Sequence, residues 1–146
     1  DVAAAGKILQ VVSYSAVGPV STTSSTYVTT GITATITPSS ATSKVLIMAS
    51  NHFYTDNNLV KFTLFRGTVA GTNLGSGGWA GFGGNGNYNG TIYTDLQSGV
   101  STTYLDSPAT TSAQVYTVGF ASITGGSTST CNASSAGTIT LMEVGA

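Results

Sequence analysis

A chain of 146 residues suits one domain, since two domains of half that length would each be hard to stabilise. Ser and Thr fill 44 positions and Gly 19, while only 9 carry Asp, Glu, Lys or Arg, against about one quarter in ordinary soluble domains. The net charge of −1, with Lys7, Lys44, Lys61 and Arg66 spread along the chain, gives no basic footprint for nucleic acid, and no apolar run nears the roughly 20 residues of a membrane-spanning helix.

Hydrophobic residues still make up 40% of the chain, which excludes a disordered linker. The single cysteine, Cys131, permits no internal disulfide and no multi-cysteine metal site. The first residue is Asp1 rather than Met, without a signal-peptide layout, so the chain reads as processed or as a piece of something longer.

No window shows helical spacing of apolar residues, and β-branched residues dominate every apolar stretch. The first strand expected is "KILQVVSYS", followed by a short "STYVTT". In "GITATITPSS" the residues Ile32, Ala34 and Ile36 alternate with Thr33, Thr35 and Thr37, which predicts a half-buried strand ended by Pro38. "KVLIMASNHFY" is apolar on both faces over Val45 to Ala49 and should lie inside a sheet rather than at its edge. After a turn in "TDNN", "LVKFTLFRG" predicts a strand forming a hairpin with it.

Gly71 to Gly90 holds nine glycines in twenty positions together with Leu74, Trp79, Phe82 and Tyr88, so it reads as a long excursion. "TIYTDL", "STTYLDS" and "QVYTVGFASI" are further strands. Gly125 to Ser135 reads as a polar loop without a large side chain, and "GTITLMEV" closes the sheet. Eight or nine short strands with no helix between them imply antiparallel pairing. We therefore expect a single all-β domain over residues 1–146, an antiparallel β-sandwich of jelly-roll type.

Catalytic constellations are thin. His52 is the sole histidine and no "GxSxG" elbow accompanies it; it reads as a sheet residue bonded locally or packed at a subunit interface. The five acids are Asp1, Asp56, Asp95, Asp106 and Glu143. Several suit turns and strand ends, and Asp106 in "LDSP" is placed to cap backbone amides. A glycosidase would need Asp95 and Asp106 or Glu143 side by side in an open cleft. Asp56, Asn57 and Asn58 offer oxygen atoms but lack the calcium-loop pattern, and His52 with Cys131 falls short of a zinc set. No enzyme activity, metal or cofactor is expected. Asn89 and Asn132 begin glycosylation sequons of a kind that chance supplies in such a composition.

The rings of the glycine-rich segment need a partner. They could cover the end of the sandwich, or be buried between subunits, where low charge suits packing against identical copies. Alternatively Trp79, Phe82 and Tyr88 stack on the apolar face of a saccharide while Asn85, Asn87 and Asn89 make hydrogen bonds to it.

The blocks "GKILQVV", "TATITPSSATSKVLIMAS", "FTLFRG", "LDSPATTSAQVYTV" and "GTITLMEV" occur in an order that covers nearly the whole chain. Together they resemble a β-rich domain of tail-fibre and virion structural proteins of tailed bacteriophages. The resemblance implies a trimeric jelly-roll head at a fibre tip, in contact with other virion proteins, without catalysis. It places the variable segment between "LFRG" and "LDSP", where a host-receptor site would lie. In that pattern "LDSPATTSAQVY" reads as strand, tight turn and strand, with Leu105 and Tyr116 buried and Pro108 fixing the turn. The expectation is thus a homotrimeric virion protein recognising host-surface glycan through Trp79, Phe82, Tyr88, Asn85, Asn87 and Asn89. A capsid decoration or cement protein without a receptor is the alternative, and a glycan depolymerase a distant third.

Overall fold

The computed structural model of the protein describes residues 6–55, 60–75, 83–85, 96–123 and 128–146. Eleven strands form the described part of the chain, and no helix occurs among the described residues. They are β1 (Ile8–Ala16), β2 (Val20–Thr22), β3 (Val28–Ile36), β4 (Lys44–Thr55), β5 (Val60–Arg66), β6 (Thr72–Asn73), β7 (Gly83–Asn85), β8 (Leu96–Asp106), β9 (Gln114–Ser122), β10 (Ser129–Cys131) and β11 (Gly137–Val144). Every pairing is antiparallel.

Two sheets face each other. In the first, β4 is central: β8 lies along one edge, while β11 and then β10 share the other, carrying β1 and β2 outside them. In the second, β9 lies between β3 and β5, and β6 and β7 pair with the far edge of β5. The order β1-β11-β4-β8 facing β3-β9-β5-β7, with the chain passing repeatedly from one sheet to the other, is that of a jelly roll.

Alternation dictates which side chains meet between the sheets. On β3 the inward residues are Ile32, Ala34 and Ile36, as their spacing predicts. They face Val45, Ile47 and Ala49 of β4 and Ile139 and Leu141 of β11, all buried. Phe53 on β4 reaches across the sandwich to Phe62 on β5 and Phe120 on β9, each with ring centroids 5.8 Å apart. These tilted ring pairs fill one end of the core with large apolar surface.

Several expectations are corrected. "KVLIMASNHFY" and "LVKFTLFRG" do not form a hairpin, because β4 and β5 belong to opposite sheets. Both edges of β4 are already occupied by β8 and by β11 and β10, so "FTLF" instead adds to β9 and buries Phe62 and Leu64 against β4 from across the core. "STYVTT" and "GITATI" are not separate strands but one, β3, whose register with β9 shifts between Thr29 and Thr33, around Gly31 at φ 81°. That glycine adopts a left-handed conformation that a β-carbon disfavours, so the punctuation is a bulge rather than a break.

Gly125 to Ser135 is not wholly loop: Ser129–Cys131 pairs with β4 on one side and β2 on the other. The small side chains of Ser129 and Cys131 turn inward and are fully buried. The glycine-rich segment likewise contributes β6 and β7 to the edge of β5. "STTYLDS" belongs to the 11-residue β8, and of "TIYTDL" only Leu96 is described. Leu105 is not buried but 47% exposed, because its neighbour Asp106 takes the inward position.

Val45 to Ala49 does lie in the middle of a sheet, yet only Val45, Ile47 and Ala49 enter the core. Leu46 is half-buried and Met48 is 45% exposed on the outer face. The "TDNN" turn, with Asp56, Asn57 and Asn58, lies outside the described residues.

Candidate recognition surface

The two ends of the sandwich differ. At one end, register places Thr55 beside Leu96 and Ser129, and Val60 beside Asn85 and Ser122. These strand ends therefore gather in one place, above the Phe53, Phe62 and Phe120 rings. Asn85 and Leu96 bracket residues 86–95. Residues 76–82 follow Gly75, next to Leu74, whose backbone N–H donates to Leu64 O at 2.9 Å, and the chain resumes at Gly83 beside Phe62. Of the six expected contact residues, Asn85 lies in β7 opposite Val60, with its backbone alone described. Trp79, Phe82, Asn87, Tyr88 and Asn89 lie outside the described residues.

At the opposite end, the N–H of Gly6 donates to Gly145 O at 2.9 Å and that of Gly145 to Lys7 O at 2.8 Å. Both described chain ends are therefore pinned there. The same end contains two inward carboxylates in one cross-sheet row, which runs Asp106, Val45, Glu143, Gln10. Asp106 and Glu143 sit two strands apart, so their α-carbons are separated by about 10 Å.

Asp106 is 3% exposed and joins the sheets. It accepts hydrogen bonds from Arg66 Nε and Nη2, both at 2.8 Å, and from the Tyr116 hydroxyl at 2.7 Å. The paired geometry matches the planar guanidinium fork. The hydrogen bond from Arg66 to Asp106 pushes the guanidinium pKa up. Burial, then the Asp106 carboxylate, pushes the Tyr116 hydroxyl up as well. Asp106 is thus structural, as its turn context suggested, but its partners are side chains of the facing sheet rather than capped backbone amides.

Glu143 is 1% exposed. Its Oε1 accepts from the Ser39 backbone N–H at 2.7 Å and the Ser39 hydroxyl at 2.6 Å, and its Oε2 from Gln10 Nε2 at 2.6 Å. Burial alone pushes its pKa up, but these hydrogen bonds, with the nearby Ser43 hydroxyl, outweigh burial and hold the carboxyl at about 2, below its ordinary 4.5. Asp106 and Glu143 therefore face each other across no open cleft. Asp95, the third acid of the hydrolase alternative, lies outside the described residues.

His52 is half-buried on the outer face of β4, opposite Gly99. Its backbone N–H approaches Asn132 Oδ1 at 3.4 Å, and its O accepts from the Asn132 N–H at 2.8 Å. Asn132 has φ 54° and is 1% exposed, with Nδ2 donating to Asn51 Oδ1 at 3.3 Å. This residue anchors the corner between β10 and β11, and its burial removes the sequon at Asn132 from the surface. Cys131 is buried beside it, and burial pushes its thiol up to about 11. Among the described residues no three His, Cys, Asp or Glu side chains gather as metal ligands.

The sequence contains a signal for both buried polar groups that the motif reading passed over. Glu143 falls in phase with inward Ile139 and Leu141, and Arg66 in phase with inward Phe62 and Leu64. A charged residue at a core position demands a partner. Compared with known proteins, the chain matches no protein-family model and no curated protein.

Proposed function

We propose that the protein is a structural component of a bacteriophage virion: a fibre-tip jelly roll that assembles as a homotrimer and recognises host-surface glycan. The observation that carries this reading is the division of labour between the two ends of the sandwich. Both described chain ends are pinned together at one end, beside the Asp106 and Glu143 row. The strand ends that bracket residues 86–95, Asn85 beside Val60 and Leu96 beside Thr55, lie at the other end, while Gly75 and Gly83, which bracket residues 76–82, lie along the edge of β5. On this reading Trp79, Phe82, Asn87, Tyr88 and Asn89, which lie outside the described residues, act with Asn85 in sugar recognition. Aromatic rings and amides are the groups that stack on and hydrogen-bond to sugars.

The test is binding of the purified chain to a glycan array, followed by Trp79→Ala, Tyr88→Ala and Asn87→Ala in the glycans retained. The reading expects at least one glycan class to bind and at least a tenfold loss in one of these variants with unchanged thermal unfolding. Absence of glycan binding, or binding indifferent to all three substitutions, would contradict it.

A second reading, a capsid decoration protein, draws on a separate observation: the outer face of the first sheet is apolar along one cross-strand row. A protein embedded among shell subunits would cover such a face. That reading expects no glycan binding and a position on the capsid shell.

A further inference from the structure

We infer that the outer face of the β8-β4-β11-β1 sheet is the surface through which copies of this chain associate. The registers set Leu105, Leu46, Met142 and Val11 side by side in one row across all four strands. Val11 is 56% exposed and Leu105 47%, and Met48 in the next row is 45% exposed. Ile8, 44% exposed, extends the patch beyond the row on the other side, opposite Val144. An antiparallel sheet with one solvated face ordinarily alternates apolar inward with polar outward residues. The outward positions farther along the same strands follow that rule with Ser50, Ser101 and Thr138. Among the described side chains, the contiguous apolar row therefore lies at the end nearest Gly6 and Gly145.

Charge identifies the occupant as a second copy. Within these rows Lys44 is the one charged outward residue, and it stands at the margin. The whole chain carries a net charge of −1 from nine charged residues. A partner recognised through charge finds no counterpart here, whereas copies of this face packed around a common symmetry axis meet without like-charge repulsion and with apolar rows in contact.

The area is consistent with that occupant. Four strands spaced about 4.8 Å apart and four outward rows about 6.8 Å apart give a footprint of roughly 500 Å². Two such faces bury about 1,000 Å², the lower bound for a specific interface. A shallow depression of about 170 Å³ beside Met48, lined also by Ser50, Ser101, Thr103 and Thr138, offers a seat for a side chain of the opposing copy.

This inference rests on the self-association contained in the proposed function, and the experiment separates the two. Sedimentation equilibrium of the full chain is compared with Val11→Lys and Met48→Lys, both at exposed positions that leave the core intact. Thr35→Glu, on the exposed outer face of the other sheet, is the control. The inference expects an oligomer whose dissociation constant rises at least tenfold in each lysine variant and is unchanged in the control, with thermal unfolding of the dissociated variants still cooperative. An oligomer indifferent to both lysines overturns the assignment of this face while leaving the homotrimer standing. A chain that is monomeric at every concentration overturns both.

Discussion

Replacing Asp106 by alanine removes the carboxylate on which Arg66 and Tyr116 converge, and the structure sets the size of the effect. Three charge-assisted hydrogen bonds at 2.7–2.8 Å are lost between the sheets. The Tyr116 hydroxyl is left in the core without its acceptor, which costs about 1–3 kcal/mol. Breaking a fully buried ion pair from one side costs about 3–5 kcal/mol, but the Arg66 side chain is 29% exposed and recovers part of its hydration. The combined loss is therefore about 3 kcal/mol. At about 2–4 °C per kcal/mol for a chain of this size, the unfolding temperature should fall by about 6–12 °C.

Tyr116→Phe, which removes a single hydroxyl and keeps the ion pair, should lose only about 1 kcal/mol. Urea titration followed by circular dichroism, with a double-mutant cycle between Arg66 and Asp106, measures both. A loss below 1 kcal/mol for Asp106→Ala would refute the view that this cluster ties the two sheets together.

Because Glu143 is held at about 2, below its ordinary 4.5, its contribution to stability is complete above pH 4.5 and disappears as pH falls through 2. Glu143→Gln should therefore lower stability at neutral pH and flatten the decline between pH 4.5 and 2, as read by denaturant midpoints across that range. Burial of Cys131 and its thiol pKa of about 11 predict that the native chain resists a thiol reagent at neutral pH and reacts only on unfolding. Rapid labelling of folded chain would contradict the placement of β10. Ala109 follows Pro108 in a left-handed conformation, φ 52°, so Ala109→Gly should stabilise the chain by about 0.5–1 kcal/mol in thermal unfolding. A β-carbon at Gly137 would stand 2.6 Å from Asn132 Nδ2 and 2.7 Å from Ile32 Cγ1. Gly137→Ala should accordingly cost about 1–3 kcal/mol by denaturant titration.

Much of the fold was legible because the period-2 signal is strong where one face is buried. The spacing of Ile32, Ala34 and Ile36 was enough to orient β3, and the absence of helical spacing excluded every architecture but layered sheets. Pairing partners were less legible. Adjacent strands usually pair, which made β4 and β5 look like a hairpin, but a jelly roll sends consecutive strands to opposite sheets, and local sequence does not encode which edge is already occupied.

Short strands of small side chains, such as Ser129–Cys131, also escape a reading that looks for large apolar residues. Leu105 was misplaced because hydrophobicity was weighed without the phase of the strand, in which Asp106 holds the inward position and has Arg66 and Tyr116 to receive it. The outer apolar row, Leu105, Leu46, Met142 and Val11, was illegible for a further reason: it exists only once four distant strands are set in register.

For the candidate site, composition alone singled out the segment with Trp79, Phe82 and Tyr88, since large rings among glycines cannot serve a regular strand. The structure adds the position of its anchors, Gly75, Gly83, Asn85 and Leu96, relative to the pinned chain ends.

Imaging of the chain in its assembled particle by electron microscopy, at a resolution that places Trp79, tests the central claim most directly. The account predicts copies at a fibre tip, joined to the rest of the particle at the Gly6 and Gly145 end, with residues 76–95 facing outward. Copies lying on the capsid shell with that segment pressed against other subunits would contradict it.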